Sequence, residues 1–456
     1  MTPAPSRPAR RLRRPRLAAL LLCAAAALPA AARCVDEEAP EAPPSKEAPA
    51  APANPRAVLQ ALVGEALQRS HAVGAAKLLS EAALSDIDET RAATGVQASL
   101  SAGVGPGRSY GAGVTETSAA QLRTGVSLGQ LVYDGGRTDR LVDWRTQIAE
   151  STRYGYLSQQ EQLALTTVGL ALERSRLRMT AGVWRAHVRK MGCLVEALET
   201  ITRTDRGRAS EMVQAKKSLL QAEMTLTQTQ SAIRQLEVRL RRLVGDGLPG
   251  TEGLATLFNG VPDLPQLVAD AERSYDIAQL DAQTLAANRY VEAVEAGGKP
   301  QLSWNLSGAA NENRGGSLGR TKTGSVAVGL SLSVPLLNPG LAPATDAARK
   351  RAQAAALQRA EALESRRFRV AEVHEQALSA IDRARRVAEV LKDSEQVRNF
   401  TLQQWQQLGK RSLFDVIAAE SDHFNNRVNY VNALHDEQQL NANLLSLGRG
   451  VVDWLR

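Results

Sequence analysis

The side chains that most often carry out chemistry are thinly scattered along this chain. No two histidines lie at i, i+4 spacing, and none has a cysteine at metal-ligand spacing. Carboxylates are spread along helix-like stretches, which is typical of solvated charge. Because metal sites and catalytic centres need closer groupings, the sequence predicts no enzyme, no metal site and no bound cofactor. The histidines are His71, His187, His374, His423 and His435.

A glycine-rich segment, Gly103-Val104-Gly105-Pro106-Gly107, is similar in composition to a phosphate-binding loop. Such a loop opens a helix, whereas no helix-forming stretch follows this segment. We interpret it as a turn after a strand, and as an extracellular turn if that strand crosses a membrane.

The overall charge is concentrated at the N-terminus. The chain has 456 residues, of which 43% are hydrophobic and 4% aromatic, and its formal charge is +8. Six arginines and no acidic residues lie within residues 1–32, so the remaining chain carries only two excess positive charges. With so few aromatic side chains for base stacking, we expect no nucleic-acid partner.

Residues 1–32 have the three regions of a secretory signal peptide. An arginine-rich stretch precedes the apolar run Leu17 to Leu28 and the small residues Ala30 to Ala32. The run is shorter than the ~20 residues of a membrane-spanning helix. Cys34 would be a lipidated N-terminus if cleavage fell before it, but Arg33 stands where lipoprotein signals need a small residue. Residues 33–55 form a linker rich in proline and alanine, which predicts disorder.

The rest of the chain is a duplication with a shift of 204 residues. The shift places Gln97 on Gln301, Leu128 on Leu332 and Gly136 on Gly340. A period this long indicates two domain-sized repeats, since solenoid repeats recur at ~20–50 residues. We assign residues 56–250 to the first repeat and 251–456 to the second.

Each repeat contains two stretches in which apolar residues alternate with small or polar ones. We predict strands over about 95–105, 121–133, 299–309 and 324–336, with polar loops from Gly103 to Ala120 and from Gly308 to Gly324. About ten residues is the length that a tilted strand needs to cross a membrane. A water-soluble antiparallel sheet has the same alternation and is the alternative.

Long helices follow the strands. We predict them over about 137–205, 207–244, 342–408 and 412–448, and ~65 helical residues extend about 100 Å. A heptad seam from Met212 to Leu243 is apolar, whereas polar residues interrupt its counterpart from Val416 to Leu447. The strands connect to the helices through turns at Asp134, Gly135 and Gly136 in the first repeat and Asn338, Pro339 and Gly340 in the second.

Four membrane-length strands cannot close a barrel by themselves. An open edge in lipid leaves backbone groups unpaired at a cost of several kcal/mol each, so the chain is expected to oligomerise. Closure with 8, 12 or 16 strands takes two, three or four chains.

Over about residues 57–449 the chain resembles the TolC-like outer-membrane efflux and secretion proteins. The resemblance rests on the duplication, on Leu131 to Arg137 and Pro335 to Gly340 at the strand ends, and on two helix-turn-helix tips. These tips are Gly207-Arg208-Ala209-Ser210 and Gly409 to Val416.

The resemblance implies a mixed α and β fold. It implies a homotrimer with a 12-stranded barrel in outer-membrane lipid of a Gram-negative bacterium, continued by a periplasmic α-helical barrel. Its partners would be a periplasmic adaptor (membrane fusion protein) and an inner-membrane transporter of the ABC or RND type.

The same resemblance places functional residues at the tips. Asp415 and Arg411 fall on positions where relatives have a periplasmic gate, although Ala418 stands where relatives can carry a second acid. In the first tip the heptad seam begins two residues sooner after the glycine than in the second tip. Counted from that glycine, the first tip has no counterpart of Asp415. Ser412 and Asp415 also fit a helix N-terminal capping box, and the two roles are compatible. The adaptor would contact the tips, at Gly207, Arg208, Ser210, Gly409, Lys410 and Ser412.

The expected function is a passive exit duct. The turn from Tyr133 to Arg137 and the missing lipidation signal look more like the branch of the family that serves type I protein secretion, with multidrug or metal efflux as the alternative. A periplasmic coiled-coil adaptor without a pore and a secreted structural coiled coil are further alternatives. Neither accounts well for two hairpins and four strands.

Overall fold

A computed structural model describes residues 54–111, 114–258, 260–314, 320–408 and 410–456. The predicted signal peptide, most of the predicted linker, and Gly409 lie outside these ranges. Within them, no helix is both long and apolar enough to cross a membrane.

The element order repeats once along the described chain. Two helices precede a strand pair, and two long helices follow it, in each half. The first half contains α1 (Pro55–Arg69), α2 (His71–Ala92), β1 (Gln97–Gly111), β2 (Val114–Tyr133), α3 (Arg137–Thr202) and α4 (Ala209–Val244). The second contains α5 (Leu264–Glu272), α6 (Tyr275–Ala296), β3 (Gln301–Arg314), β4 (Arg320–Ser333), α7 (Leu341–Leu408), α8 (Leu413–Leu447) and α9 (Val451–Leu455).

The four strands form one antiparallel sheet in the order β1-β2-β3-β4. Residues paired directly across strands share a face. One row joins Leu100, Val126, Gly308 and Val326, and the next joins Ala98, Leu128, Leu306 and Val328. The alternating residues therefore form one apolar face over all four strands, as predicted, and the serines lie on the opposite face. Ser99 and Ser127 are hydrogen-bonded there at 2.7 Å.

The strands extend further from the helices than predicted. The proposed loops are wrong, because the backbone ladder continues to the pair Gly111 and Val114 in the first hairpin and to Arg314 and Arg320 in the second. Hydrogen bonds of a ladder need no apolar side chains, so alternation marks only its apolar part. At the helical end β4 stops at Ser333, before the predicted 336, since Pro335 has no N–H to donate.

The long helices lie side by side in an order that continues the sheet. Away from the sheet the order is α4-α3-α8-α7, and nearer the sheet it is α2-α3-α6-α7. Helices α2, α4 and α7 thus lie at the sides of the described chain, where apolar side chains such as Leu79, Leu220 and Phe400 are more than half exposed. The predicted seam of α4 faces inward, with Ala215, Ala222 and Leu240 buried.

The main apolar core lies midway along the helices. Leu59 of α1 packs there with parts of α3, α4, α8 and α9. Glu161 of α3 accepts hydrogen bonds from the backbone N–H groups of Val451 and Val452 and so caps α9. Burial raises the pKa of Glu161, although these hydrogen bonds oppose the shift. The core fixes both chain halves around α3.

Candidate functional site

The tip between α7 and α8 is closed by a capping box. The Ser412 hydroxyl accepts from the Asp415 N–H at 3.3 Å, and Asp415 Oδ2 accepts from the Ser412 N–H at 3.1 Å. This confirms the predicted cap. Arg411 does not pair with Asp415: its Nε donates to Gln404 Oε1 at 3.1 Å. Lys410 is exposed beside it.

The tip between α3 and α4 is built differently. Asp205 Oδ1 accepts from the Gly207 N–H at 2.9 Å, which closes a short 3-10 turn. Gly207 does not adopt a positive φ, so this turn does not depend on the conformational freedom of glycine. Ser210 forms no cap, because Arg208 occupies the N-cap position and no side chain accepts there.

The first tip does contain an acid equivalent to Asp415. Glu211 is the third residue of α4, directly before the seam residue Met212, as Asp415 is directly before Val416. The prediction that this tip has no such acid is wrong, because it aligned the two tips at their glycines and the first turn is shorter. Aligning them at the seam residues Met212 and Val416 places Glu211 on Asp415. Without a hydroxyl at the N-cap, Glu211 instead lies 4.0 Å from Arg208 Nη1.

An apolar cluster joins the two tips behind their polar turns. Leu413 and Ile417 of α8 pack with Met191 and Leu198 of α3 and with Ala215 of α4. Leu413 is fully buried, and burying such a side chain contributes roughly 1.5–3 kcal/mol. This shared cluster fixes the positions of Asp415 and Glu211 relative to each other.

The two strand-to-helix turns position the sheet on the helices. Asp134 is 8% exposed and accepts from the N–H groups of Gly136 at 3.0 Å and Thr138 at 2.7 Å. Burial alone would raise the pKa of Asp134, but these hydrogen bonds outweigh it and hold the pKa below its usual value. Gly135 and Gly136 have φ of 69° and 82°, which favours glycine.

The second turn is weaker. The Asn338 side chain accepts from one N–H group, that of Gly340 at 3.2 Å, and all three residues from Asn338 to Gly340 are exposed. Pro339 has no N–H to offer as a further donor.

Three buried histidines lie inside the helical body. His423 Nδ1 is 3.2 Å from Ser394 Oγ, and His435 Nε2 is 3.1 Å from Ser175 Oγ. Burial lowers the pKa of His187 to about 4, and burial with the nearby Arg398 and Arg427 charges lowers that of His423 to about 4. Over the described residues, no three His, Cys, Asp or Glu side chains are grouped to hold a metal ion.

Comparison with known proteins identifies this arrangement. The sequence profile described as outer membrane efflux protein matches twice, at residues 62–246 and 268–448. The chain belongs to the outer membrane efflux protein family. No curated protein gives a significant match.

Solved structures with the same fold include outer-membrane proteins. CusC matches with a TM-score of 0.77 at 17% identity, over 89% of this chain and 99% of that one. VceC of Vibrio cholerae matches with 0.71 at 20%, over 86% and 96%. The MtrE outer membrane channel of Neisseria gonorrhoeae matches with 0.68 at 18%, over 87% and 90%. At these identities the likeness establishes the fold.

The family assignment makes this protein an outer-membrane efflux channel with a periplasmic helical extension, and not an enzyme. One enzyme-like pattern does occur: Gly107-Arg108-Ser109-Tyr110-Gly111 fits G-x-S-x-G. A nucleophile elbow needs a strand-to-helix turn, whereas this segment is the end of β1. The pattern therefore has no catalytic meaning in this efflux protein.

Sequence reasoning missed one more charged group of this efflux protein. Glu420 of α8 is fully buried, and Lys190 Nζ of α3 lies 3.8 Å from its carboxylate. Glu420 lies four residues after the buried seam residue Val416 and therefore on the same face of α8, and this spacing is the signal that could have found it. Carboxylates on helices are usually solvated, and the packing of α8 between α3 and α7 is what buries this one.

Proposed function

We propose that the chain is the subunit of a homotrimeric exit duct. It would receive cargo from an inner-membrane transporter through a periplasmic adaptor and release it outside. The observation that carries this proposal is the sheet, which has one apolar face and, within the described residues, two unpaired edges at β1 and β4. Its continuation into α3 and α7, of 66 and 68 residues, extends the wall into a long helical body.

Four strands per chain call for several chains, and the family resemblance favours three of them. Three chains would supply twelve strands, with β1 of each chain paired to β4 of the next. Such pairing removes the unpaired backbone edges that lipid penalises. The exposed apolar residues on α2, α4 and α7 support the same packing, since these helices are at the sides of the chain.

For the cargo, we propose small solutes. The family description, efflux, supports this class. The turn from Tyr133 to Arg137 favours type I protein secretion on sequence alone, but that turn has a local explanation, because Asp134 caps α3. Protein secretion is the alternative. Cells lacking this chain should lose efflux of a small fluorescent dye and regain it with the gene, with protein secretion unchanged; the converse would favour secretion.

We further propose that the tips form the periplasmic entrance. Asp415 and Arg411 would act as its gate, and Glu211 would add a second carboxylate. In three copies, rings of like charge at a constriction favour cations. The adaptor would bind at Gly207, Arg208 and Ser210 of one tip, and at Gly409, Lys410 and Ser412 of the other.

Single-channel conductance in a planar bilayer tests the gate. Asp415→Asn removes the charge and keeps an oxygen that accepts from the Ser412 N–H, so it separates gating from capping. We expect larger openings and weaker cation preference in Asp415→Asn. Asp422→Asn, an exposed acid farther along α8, is the matched control. Unchanged conductance in both variants would reduce Asp415 to a helix cap.

A further inference from the structure

The outward end of the second hairpin carries basic side chains on the apolar face of the sheet. Glu312 pairs with Leu122 and with Lys322, and Arg314 pairs with Arg320. Because paired residues share a face, these charged side chains continue the rows that begin with the apolar residues nearer the helices.

The level of this group matches the outer boundary of a membrane. Ten residues separate Leu302 from Glu312, about 34 Å along a strand and about 26 Å in height at a tilt near 40°. The apolar band of an outer-membrane barrel is ~25 Å tall. The helices lie at the opposite end of the sheet, on the periplasmic side, so the charged group lies at the outer leaflet.

The group has an excess of positive charge. Glu312 Oε1 accepts from Arg314 Nε at 2.6 Å and from Arg320 Nε at 2.5 Å. One carboxylate thus holds two guanidinium groups, and Lys322 lies in the neighbouring position. The Glu312 side chain is 14% exposed, whereas those of Arg314 and Arg320 are 66% and 55% exposed. Over the described residues, Glu312 is the one acid that pairs with either guanidinium, and each guanidinium has further N–H donors.

We propose that Arg314, Arg320 and Lys322 bind the phosphate groups of a phosphorylated glycolipid, lipid A, in the outer leaflet. Guanidinium forks match phosphate oxygens in geometry and charge. The patch is continuous with the lipid-facing apolar band, so the acyl chains and the head group of one lipid would contact adjoining rows. The inference rests on the trimeric duct proposed above, which turns the apolar face towards lipid.

The test uses the full-length trimer in detergent, with bound lipid counted by native mass spectrometry. Lipid A with two phosphates should bind, and dephosphorylated lipid A should bind at least tenfold more weakly. Inorganic phosphate at the same concentration should not displace the lipid. This first comparison needs no variant.

Variants then locate the site. Arg314→Gln and Arg320→Gln should each weaken binding by about tenfold, as expected for a lost hydrogen bond to a charged group. Arg123→Gln is the matched control, because Arg123 pairs with Asn311 at the same level on the opposite face. It should change lipid binding less than twofold.

Two results would overturn the proposal. One is equal binding of both lipids, and the other is an equal loss in Arg123→Gln. Conductance of the same preparation separates this failure from failure of the duct: a conducting trimer without phosphate preference refutes only the lipid site.

Discussion

Helices α4 and α8 occupy equivalent places in the two repeats, yet their buried faces differ. The seam of α4 is apolar, with Ala215, Ala222 and Leu240 inside. Helix α8 buries several polar side chains. These are Glu420, His423, His435, Gln438 and Asn441.

Their neighbours explain the difference. Helix α8 packs between α3 and α7 of its own chain, whereas α4 packs mainly on α3 and leaves its other side open. The 204-residue shift places Glu420 on Lys216, which forms an exposed ion pair with Glu199 at 2.8 Å. Of the two equivalent helices, α8 is the one with helices packed on both sides, and it is also the one whose buried face is polar.

The largest expected loss of stability comes from breaking the buried ion pair of Glu420 and Lys190. Glu420→Ala leaves Lys190 beside a buried space, and losing one partner of a buried pair costs about 3–5 kcal/mol. Lys216→Ala, at the equivalent exposed position, should cost at most about 1 kcal/mol. Denaturant unfolding followed by helical circular dichroism compares them. Equal effects would mean that Glu420 is not more important than its surface counterpart.

The next effect concerns the strand-to-helix turns. Asp134→Ala removes a buried acceptor of two backbone N–H groups and should cost about 2 kcal/mol. Asn338→Ala removes one exposed hydrogen bond and should cost about 0.5 kcal/mol. Because the pKa of Asp134 is lowered on folding, its contribution is present above the unfolded value of 3.8 and is lost as pH falls below it. Thermal midpoints at pH 7 and pH 3 check both statements.

The buried histidines make α8 sensitive to acid. The pKa of His423 falls from 6.5 to about 4 on folding, so the unfolded chain takes up the proton first. Stability should therefore fall between pH 6.5 and pH 4, by about 2.5 kcal/mol for this histidine at pH 4.5. His423→Gln should flatten the pH dependence, and His71→Gln, an exposed histidine on α2, should not. An identical dependence of stability on pH in the parent and in His423→Gln would contradict the assignment of this effect to His423.

The smallest effect on stability is expected at the tips. Asp415→Ala removes half of a capping box on an exposed helix end and should cost about 1 kcal/mol. Glu211→Ala should cost less stability, since the Glu211 carboxylate is as far as 4.0 Å from Arg208 Nη1 and takes part in no cap. Thermal midpoints measure the pair. A larger loss in Glu211→Ala would reverse the comparison.

Much of this architecture could be predicted from local periodicity. Alternation located the apolar face of the sheet, the heptad spacing located the α4 seam, and Ser412 with Asp415 predicted the cap. Each of these features depends on residues close in sequence, for which side-chain geometry is fixed by strand or helix.

Features that depend on distant packing could not be predicted. The polar outer parts of the strands have no apolar alternation to mark them. Glu420 has a side-chain type that is usually exposed, and its full burial depends on α3 and α7 being packed around α8. Asp205 resembles any loop acid, although it closes the first tip through Gly207. The basic side chains around Glu312 can be assigned to a face of the sheet only when the register of β3 against β4 is known.

The most direct test of the central claim is disulfide crosslinking between β1 and β4 of different chains. With Cys34 and Cys193 replaced by serine, cysteine at Ser101 is combined in turn with cysteine at Ser325, Ala327 or Gly329. Cysteines at Ser127 and Ser307, which are partners within the sheet, form the intrachain control. A trimeric duct predicts a ladder ending at a covalent trimer for at least one β1–β4 pair. Crosslinks that stay within one chain, with the control intact, would contradict it.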